Sequence, residues 1–346
     1  MARTTPATSA RRRSAGVGLL LTGALALAAC GTESDAPGVD DGEGGEDTAA
    51  ECEGPDGDYL IGMSQANVGE PYRQQMDDDI RAAAEDIPQF EVAFADAAQD
   101  NSTQVSDVEN FLAQGIDLLI ISPNEAAPLT AVVERAYNEG VPVIVLDRKI
   151  EGDSYTQFIG ADNAEIGRAA GEYVAEELLP DGGNVVELKG LPGSTPAQER
   201  SQGFAEGISG NDGVEIIAEG VGNWLRAEGQ SQADAIYQAN PDIDVVYAHN
   251  DPMAEGAYLA AESAGRTDEI DFIGIDALPI PSGGIKAVEE GRLSATFVYP
   301  TGGREAVETA EQILIECADV EKEQILETQL VTQENASELY TELGGQ

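Results

Sequence analysis

From Tyr59 to the end of the chain, short apolar runs of strand length alternate with longer segments of helical spacing. The run VPVIVLD, 141–147, follows the helix-stopping Gly140 and is almost continuously Val, Ile and Leu. Such a run reads as a strand covered on both faces of a parallel sheet. YLIGMSQ, FEVAFAD and DLLIISPN are further strands, with helices expected after Pro71, over Ser102–Gln114 closed by Gly115, and over Pro128–Asn138. After QFIGADN the alternation restarts, with helices over Asn163–Leu179, Thr195–Ile208, Arg226–Ala239, Pro252–Ala264 and Ser282–Glu290. NVVELKG, VEIIAEG, DVVYAHND, DFIGIDA and LSATFVYP are the strands between and after them. The pattern predicts an α/β fold with parallel sheets, built as two similar halves. No Pro/Gly/Ser linker separates the halves, so the passage near Ala161–Asn163 reads as a short hinge.

Strand after strand ends in polar or aromatic residues: Ser64, Ser122, Asp147-Arg148, Asn163, Asn250, Asp276 and Tyr299. In open parallel sheets the carboxyl ends of the strands converge on one crevice, where ligands bind. Helix capping accounts for part of this pattern, and a surface salt bridge is the plain alternative for Asp147 and Arg148. Together, carboxylates and guanidinium forks suit a neutral polyhydroxylated ligand, because each hydroxyl both donates and accepts. Tyr72, Trp224 and Tyr299 are candidates to cover the apolar face of a sugar ring, with core packing as the alternative for each.

The first thirty residues read as an export signal. Arg11, Arg12 and Arg13 precede the apolar run GVGLLLTGALALAA, which is too short for an ordinary membrane span. Leu27-Ala28-Ala29-Cys30-Gly31 resembles the bacterial lipobox, which implies removal of residues 1–29 and lipidation of Cys30. Residues 30–57 then read as a disordered acidic tether, too poor in apolar side chains to order itself.

Several classes of function are disfavoured. The formal charge of -47 would repel nucleic acid. A single histidine, His249, and the absence of closely paired cysteines argue against zinc, and no metal or cofactor is expected. Gly190-Leu191-Pro192-Gly193-Ser194 lacks the Lys-Ser/Thr of a phosphate-binding loop. No serine sits in a G-x-S-x-G turn, and His249, within an apolar strand, reads as a packed core imidazole.

With these residues in view, the chain from about Tyr59 to Leu343 resembles the periplasmic sugar-binding proteins of ABC importers. The type is that of the ribose and galactose binders, and the galactofuranose-binding branch is most similar. GMSQANVGEPYR, FLAQGIDLLIISP, VPVIVLDR, NVVELKG with TPAQERSQGF, and VVYAHNDPMAEGA carry the resemblance. It implies two Rossmann-like lobes of the type I periplasmic binding protein fold, joined by a three-segment hinge and closing around a monosaccharide. Lobe 1 would be 58–161 plus 300–329, and lobe 2 would be 162–299 plus 330–346. The resemblance implies Ser64, Asp147, Arg148, Arg200, Asn250 and Asp276 as polar sugar ligands and Trp224 as a stacking residue. Tyr72 and Arg73 match the aromatic-Arg pair of the galactofuranose-like branch. Tyr299 stands where ribose binders place a Gln, and Asp276-Ala277 replaces their Asp-Gly, which speaks against ribose.

The same resemblance implies a lipid-anchored monomer on the outer face of the cell membrane that delivers its sugar to a permease with its own ATPase. Because the family's chain returns to the first lobe near Cys317, a disulfide between Cys52 and Cys317 is expected. A sensory receptor, a LacI-type regulator and a surface sugar hydrolase are the alternatives. The export signal and the lack of a helix-turn-helix disfavour the regulator. The hydrolase is disfavoured because Asp147 and Asp276 are both expected to be ionised beside arginines.

Overall fold

All four residues of Val143–Leu146 are buried, and their strand lies inside a six-stranded parallel sheet. The computed structural model describes residues 54–345. Its first lobe opens with β1 (Tyr59–Gln65), α1 (Pro71–Glu85), β2 (Phe90–Asp96), α2 (Asn101–Gln114) and β3 (Leu118–Ile121). It continues through α3 (Ala126–Asn138), β4 (Val143–Leu146) and β5 (Gln157–Ala161). Pro71 supplies the pre-set φ of the first turn of α1, and Gly115 ends α2 in the left-handed conformation.

The second lobe runs through α4 (Asn163–Tyr173), β6 (Gly183–Lys189), α5 (Thr195–Ile208), β7 (Val214–Val221) and α6 (Arg226–Ala239). It is completed by β8 (Val245–Ala248), α7 (Asp251–Ala264), β9 (Asp271–Ile273), α8 (Gly284–Glu289) and β10 (Thr296–Val298). The chain then returns to the first lobe with α9 (Gly303–Leu314), which packs on α1, and β11 (Glu323–Leu326). It ends with β12 (Gln329–Val331), antiparallel to β10, and α10 (Ala336–Glu342), which packs on α8.

The first sheet has the order β11-β5-β4-β3-β1-β2 and the second β7-β6-β8-β9, both parallel. The chain therefore passes between lobes three times: after Ala161, after Val298 and after Leu326. α4 and α5 approach backbone to backbone. A Cβ on Gly203 would stand 2.1 Å from the Ala164 carbonyl oxygen, and one on Gly167 would stand 2.4 Å from that of Arg200. This contact holds the first turn of α4 and the middle of α5 at one fixed spacing beside the cleft.

Some expected boundaries change. The segment 54–57, read as tether, is ordered: Gly54–Asp56 forms a 3-10 turn whose Gly54 carbonyl accepts from the Tyr59 hydroxyl at 2.8 Å. That bond gives a polar anchor to a segment whose only apolar side chain is the Pro55 ring. The helix expected over Asn163–Leu179 ends as α4 at Tyr173 and continues as a π-helical turn, Val174–Leu178. Pro180 then disfavours helical backbone at Leu179. The helix expected over Ser282–Glu290 shortens to α8, and DFIGIDA and LSATFVYP contain strands of only three residues. β12 begins at Gln329, one residue before the boundary expected for the second lobe. Cys317 is disulfide-bonded. Cys30 and Cys52 lie outside the described residues.

Candidate functional site: a buried cleft between the lobes

The carboxyl ends of both sheets face one another across a narrow cleft that holds about 270 Å³ of empty space, part of it continuous with solvent. The lobes touch at its rim. Ala126 N donates to the Gly193 carbonyl at 3.1 Å, Lys149 N to Thr195 Oγ1 at 3.0 Å, and Gln99 Nε2 to the Asn223 carbonyl at 3.2 Å.

The first lobe contributes Glu70, Tyr72, Arg73, Asp147 and Arg148 to the cavity wall. Asp147 follows β4 with φ 67°, a left-handed conformation that is strained for a residue with a Cβ. Its N–H still donates to the Ile159 carbonyl at 2.7 Å, so the turn is anchored to β5 while the carboxylate is aimed at the cleft. Arg73, on the first turn of α1, donates from Nη2 to Asp147 Oδ2 and from Nη1 to Ser122 Oγ, each at 2.5 Å. Tyr299 donates to Asp147 Oδ1 at 2.7 Å. Burial pushes the Asp147 carboxyl up, but Arg73, Arg148 and the Tyr299 hydroxyl outweigh it, so its pKa is lowered. Burial and the neighbouring Arg73 charge bring the Arg148 pKa down to about 10. Arg148 Nη1 donates to the Asn124 carbonyl at 3.1 Å, while its buried Nε has no hydrogen-bond partner among the described residues.

The second lobe contributes Arg200, Trp224, Asn250 and Asp276, and Tyr299 joins from the crossing after β10. Arg200, on α5, donates from Nε to Asn163 Oδ1 at 2.8 Å and from Nη1 to the His249 carbonyl. Its guanidinium lies 4.6 Å from the centroid of the Tyr299 ring and 5.6 Å from that of Trp224. Trp224 is 4% exposed, and a Cβ on Gly190 would stand 2.2 Å from its ring. Only a glycine at 190 lets the indole lie flat against that backbone. Its buried Nε1 has no hydrogen-bond partner among the described residues.

Behind this wall His249 is fully buried, just past the end of β8, as a packed core imidazole. Nδ1 accepts from Gly190 N at 3.3 Å, so Nε2 carries the proton and donates to Glu187 at 2.9 Å. Burial lowers the His249 pKa despite that carboxylate.

Asp276 differs from Asp147. Its side chain has no hydrogen bond or ion pair with the described residues, and its backbone has φ 128°. Burial first, then the charge of Asp251, push its pKa well above the usual carboxylate range, with Arg200 opposing. Asp251, at the start of α7, accepts from Thr296 Oγ1 at 2.6 Å and from Ala277 N at 2.7 Å, yet burial still lifts its pKa to about 7. The expected ionisation beside arginines is therefore corrected for Asp276, while Asp147 has its pKa lowered by them. Asp147 has two guanidinium partners; Asp276 has none within ion-pairing distance among the described residues.

Nine of the sequence-derived candidates line the cavity: Tyr72, Arg73, Asp147, Arg148, Arg200, Trp224, Asn250, Asp276 and Tyr299. Three do not. Ser64 is fully buried in β1 with its hydroxyl unpaired, below the cavity wall. Ser122 and Asn163 stand one layer back, holding Arg73 and Arg200 by their side chains. Glu70 and Pro196 line the cavity without having been foreseen. The Glu-Pro dipeptide signals a helix start, and that local signal hides a side chain turned inward.

Comparison with known proteins agrees with this geometry. Residues 61–316 match the periplasmic binding protein domain family. The ribose import binding protein RbsB of Bacillus subtilis is 31% identical over 259 residues, 74% of this chain and 82% of that protein. The fructose-binding periplasmic domain of the hybrid two-component system BT1754 is 45% identical, with a TM-score of 0.79 over 82% of this chain and 94% of that one. A galactofuranose-binding protein superposes with a TM-score of 0.78 at 28% identity, over 82% and 98% of the two chains. With its two parallel sheets facing a polar, aromatic-walled cleft, the chain belongs to the periplasmic binding protein family and is related to its sugar-binding members.

Proposed function

We propose that this protein is the substrate-binding component of a sugar ABC importer, holding a monosaccharide between its lobes and handing it to a membrane permease. The observation that carries the reading is the composition of the cavity wall: three guanidiniums and three carboxyl groups together with Trp224, Tyr72 and Tyr299. The mixture of donors and acceptors suits hydroxyls, and the rings suit apolar C–H faces. Contacts from both lobes make the closed state the one that binds best, so a sugar shifts the population toward closure.

A galactofuranose-like sugar, or another hexose or pentose, is the proposed ligand. The proposal includes export, lipidation at Cys30 outside the cytoplasm, a monomeric state, and lobes spanning 58–161 plus 300–329 and 162–299 plus 330–346. No enzymatic activity is proposed. Thermal melting and calorimetry with D-fructose, D-ribose, L-arabinose, D-galactose, a galactofuranoside and myo-inositol test the reading, because a ligand specific for the folded state raises the melting temperature. Saturable binding of one of these with the sugar recovered intact supports it, and no binding across the set overturns it.

A sensory role is the second reading, favoured by the likeness to a two-component receptor domain. Loss of sugar uptake on deleting the gene supports transport. Intact uptake with a lost transcriptional response supports sensing.

A further inference from the structure

Glu70 occupies the residue before α1, where its carbonyl accepts from Gln74 N at 3.2 Å, but its side chain does not cap the helix. Its backbone is extended, with φ -124° and ψ 148°, and its side chain makes no capping hydrogen bond. Ser, Thr, Asp and Asn are the residues that cap well, since their short side chains reach back to the N2 or N3 amide. The longer Glu70 side chain instead turns into the cleft, where the residue is 4% exposed. Its two oxygens are used unequally. Oε1 accepts from Asn67 Nδ2 at 3.1 Å and lies 3.7 Å from Arg73 Nε. Among the described residues Oε2 meets only Asn250 Nδ2, on the other lobe, at 3.4 Å. That is the long limit of a hydrogen bond.

Asn250 is otherwise well held. Its Oδ1 caps α7 by accepting from Met253 N at 3.1 Å, and Nδ2 donates one proton to the Trp224 carbonyl at 3.0 Å. The second Nδ2 proton and the free lone pairs of Glu70 Oε2 thus face each other across the cleft in a weak contact. A carboxylate accepts and an amide NH donates. One hydroxyl satisfies both at once, its hydrogen to Glu70 and its oxygen to Asn250.

We propose that Glu70 is a specificity-determining residue which, with Asn250 from the opposite lobe, selects a ligand carrying a hydroxyl at one fixed position. This deepens the sugar-binding reading and rests on it. Because the two partners belong to different lobes, the hydroxyl is fully bonded only after closure, so its absence weakens both the contact and the closed state. A site built to bond a hydroxyl discriminates strongly against the analogue lacking it, since Glu70 Oε2 then keeps only its long contact with Asn250 among the described residues.

The test compares wild type, Glu70→Gln and Glu70→Ser by calorimetry with D-fructose, D-ribose, L-arabinose, D-galactose, a galactofuranoside and myo-inositol, then with each monodeoxy isomer of the tightest binder. Glu70→Gln is expected to weaken the parent sugar about 10- to 100-fold. For one monodeoxy isomer, wild type and variant should bind equally, while the other isomers keep the full difference. Serine is a favoured capping residue, so Glu70→Ser should melt at or above the wild-type temperature without ligand and still lose the same selectivity. A structural role would lower melting and affinity together. An equal loss for every isomer, or wild-type affinity in Glu70→Ser, overturns the assignment of Glu70 while leaving the sugar-binding reading intact. Absence of wild-type binding to the whole set overturns both.

Discussion

The guanidinium of Arg148, from the first lobe, lies 5.3 Å from the centroid of the Trp224 ring, from the second. It is a contact between charge and π-face that exists only while the lobes are together. Arg148 is also the strained member of the cluster, with its pKa brought down by burial and by Arg73. Arg148→Ala should therefore cost on the order of 2 kcal/mol or more in sugar binding, through loss of a charge-assisted hydrogen bond. The ligand-free protein should melt nearly unchanged, because relief of the repulsion with Arg73 offsets the lost bond to Asn124. Calorimetry showing wild-type affinity would remove Arg148 from the site.

Trp224 is the single tryptophan of the chain, so selectively excited emission reports on the cleft alone. A bound sugar should shift or quench that emission saturably. Trp224→Ala should weaken binding by roughly 1–3 kcal/mol. Gly190→Ala is the sharper structural control, since its methyl group would collide with the indole rather than with a ligand. It should change the emission before any sugar is added.

Asp276 and Asp251 form a pair of buried carboxyls whose pKa values are both raised. A carboxyl with a raised folded-state pKa contributes most to stability below its unfolded pKa, and that contribution is lost as pH rises through the folded value. For Asp251 the window runs from 3.8 to about 7. Asp276→Asn removes one charge without breaking a protein hydrogen bond. It should raise ligand-free stability by roughly 0.5–2 kcal/mol at pH 7, with little gain near pH 4. The same variant should bind sugar more weakly. Melting curves across that pH range that show a constant difference between the two proteins would refute the linkage.

Cys317 is disulfide-bonded, and a Cβ on Gly54, two residues after Cys52, would stand 4.0 Å from its Sγ. Non-reducing peptide maps of the mature protein should recover Cys52 linked to Cys317. Reduction should lower stability by a few kcal/mol, as expected for a cross-link closing a long loop. Recovery of both as free thiols would exclude the pairing.

The sequence by itself determined the order of strands and helices, because apolar periodicity, Pro71 at a helix start and Gly115 at a helix end act through neighbouring residues. It also pointed to the carboxyl ends of the strands, and hence to Asp147, Arg148, Asn250 and Asp276, since a parallel sheet leaves its ligand crevice at that edge. Tertiary structure decided which of those polar groups reach the cleft. Ser64 and Ser122 end equally polar strands, yet one is sealed in the sheet and the other holds Arg73. Glu70 turns inward because Arg73 and Asn67 draw its carboxylate, and Asn250, far away in sequence, meets it from the other lobe. Charge state was settled the same way: Asp147 is paired with arginines by folding, whereas Asp276 is buried without such a partner. Coulomb interactions and desolvation depend on distances across the cleft, and those distances are set only when the two lobes pack.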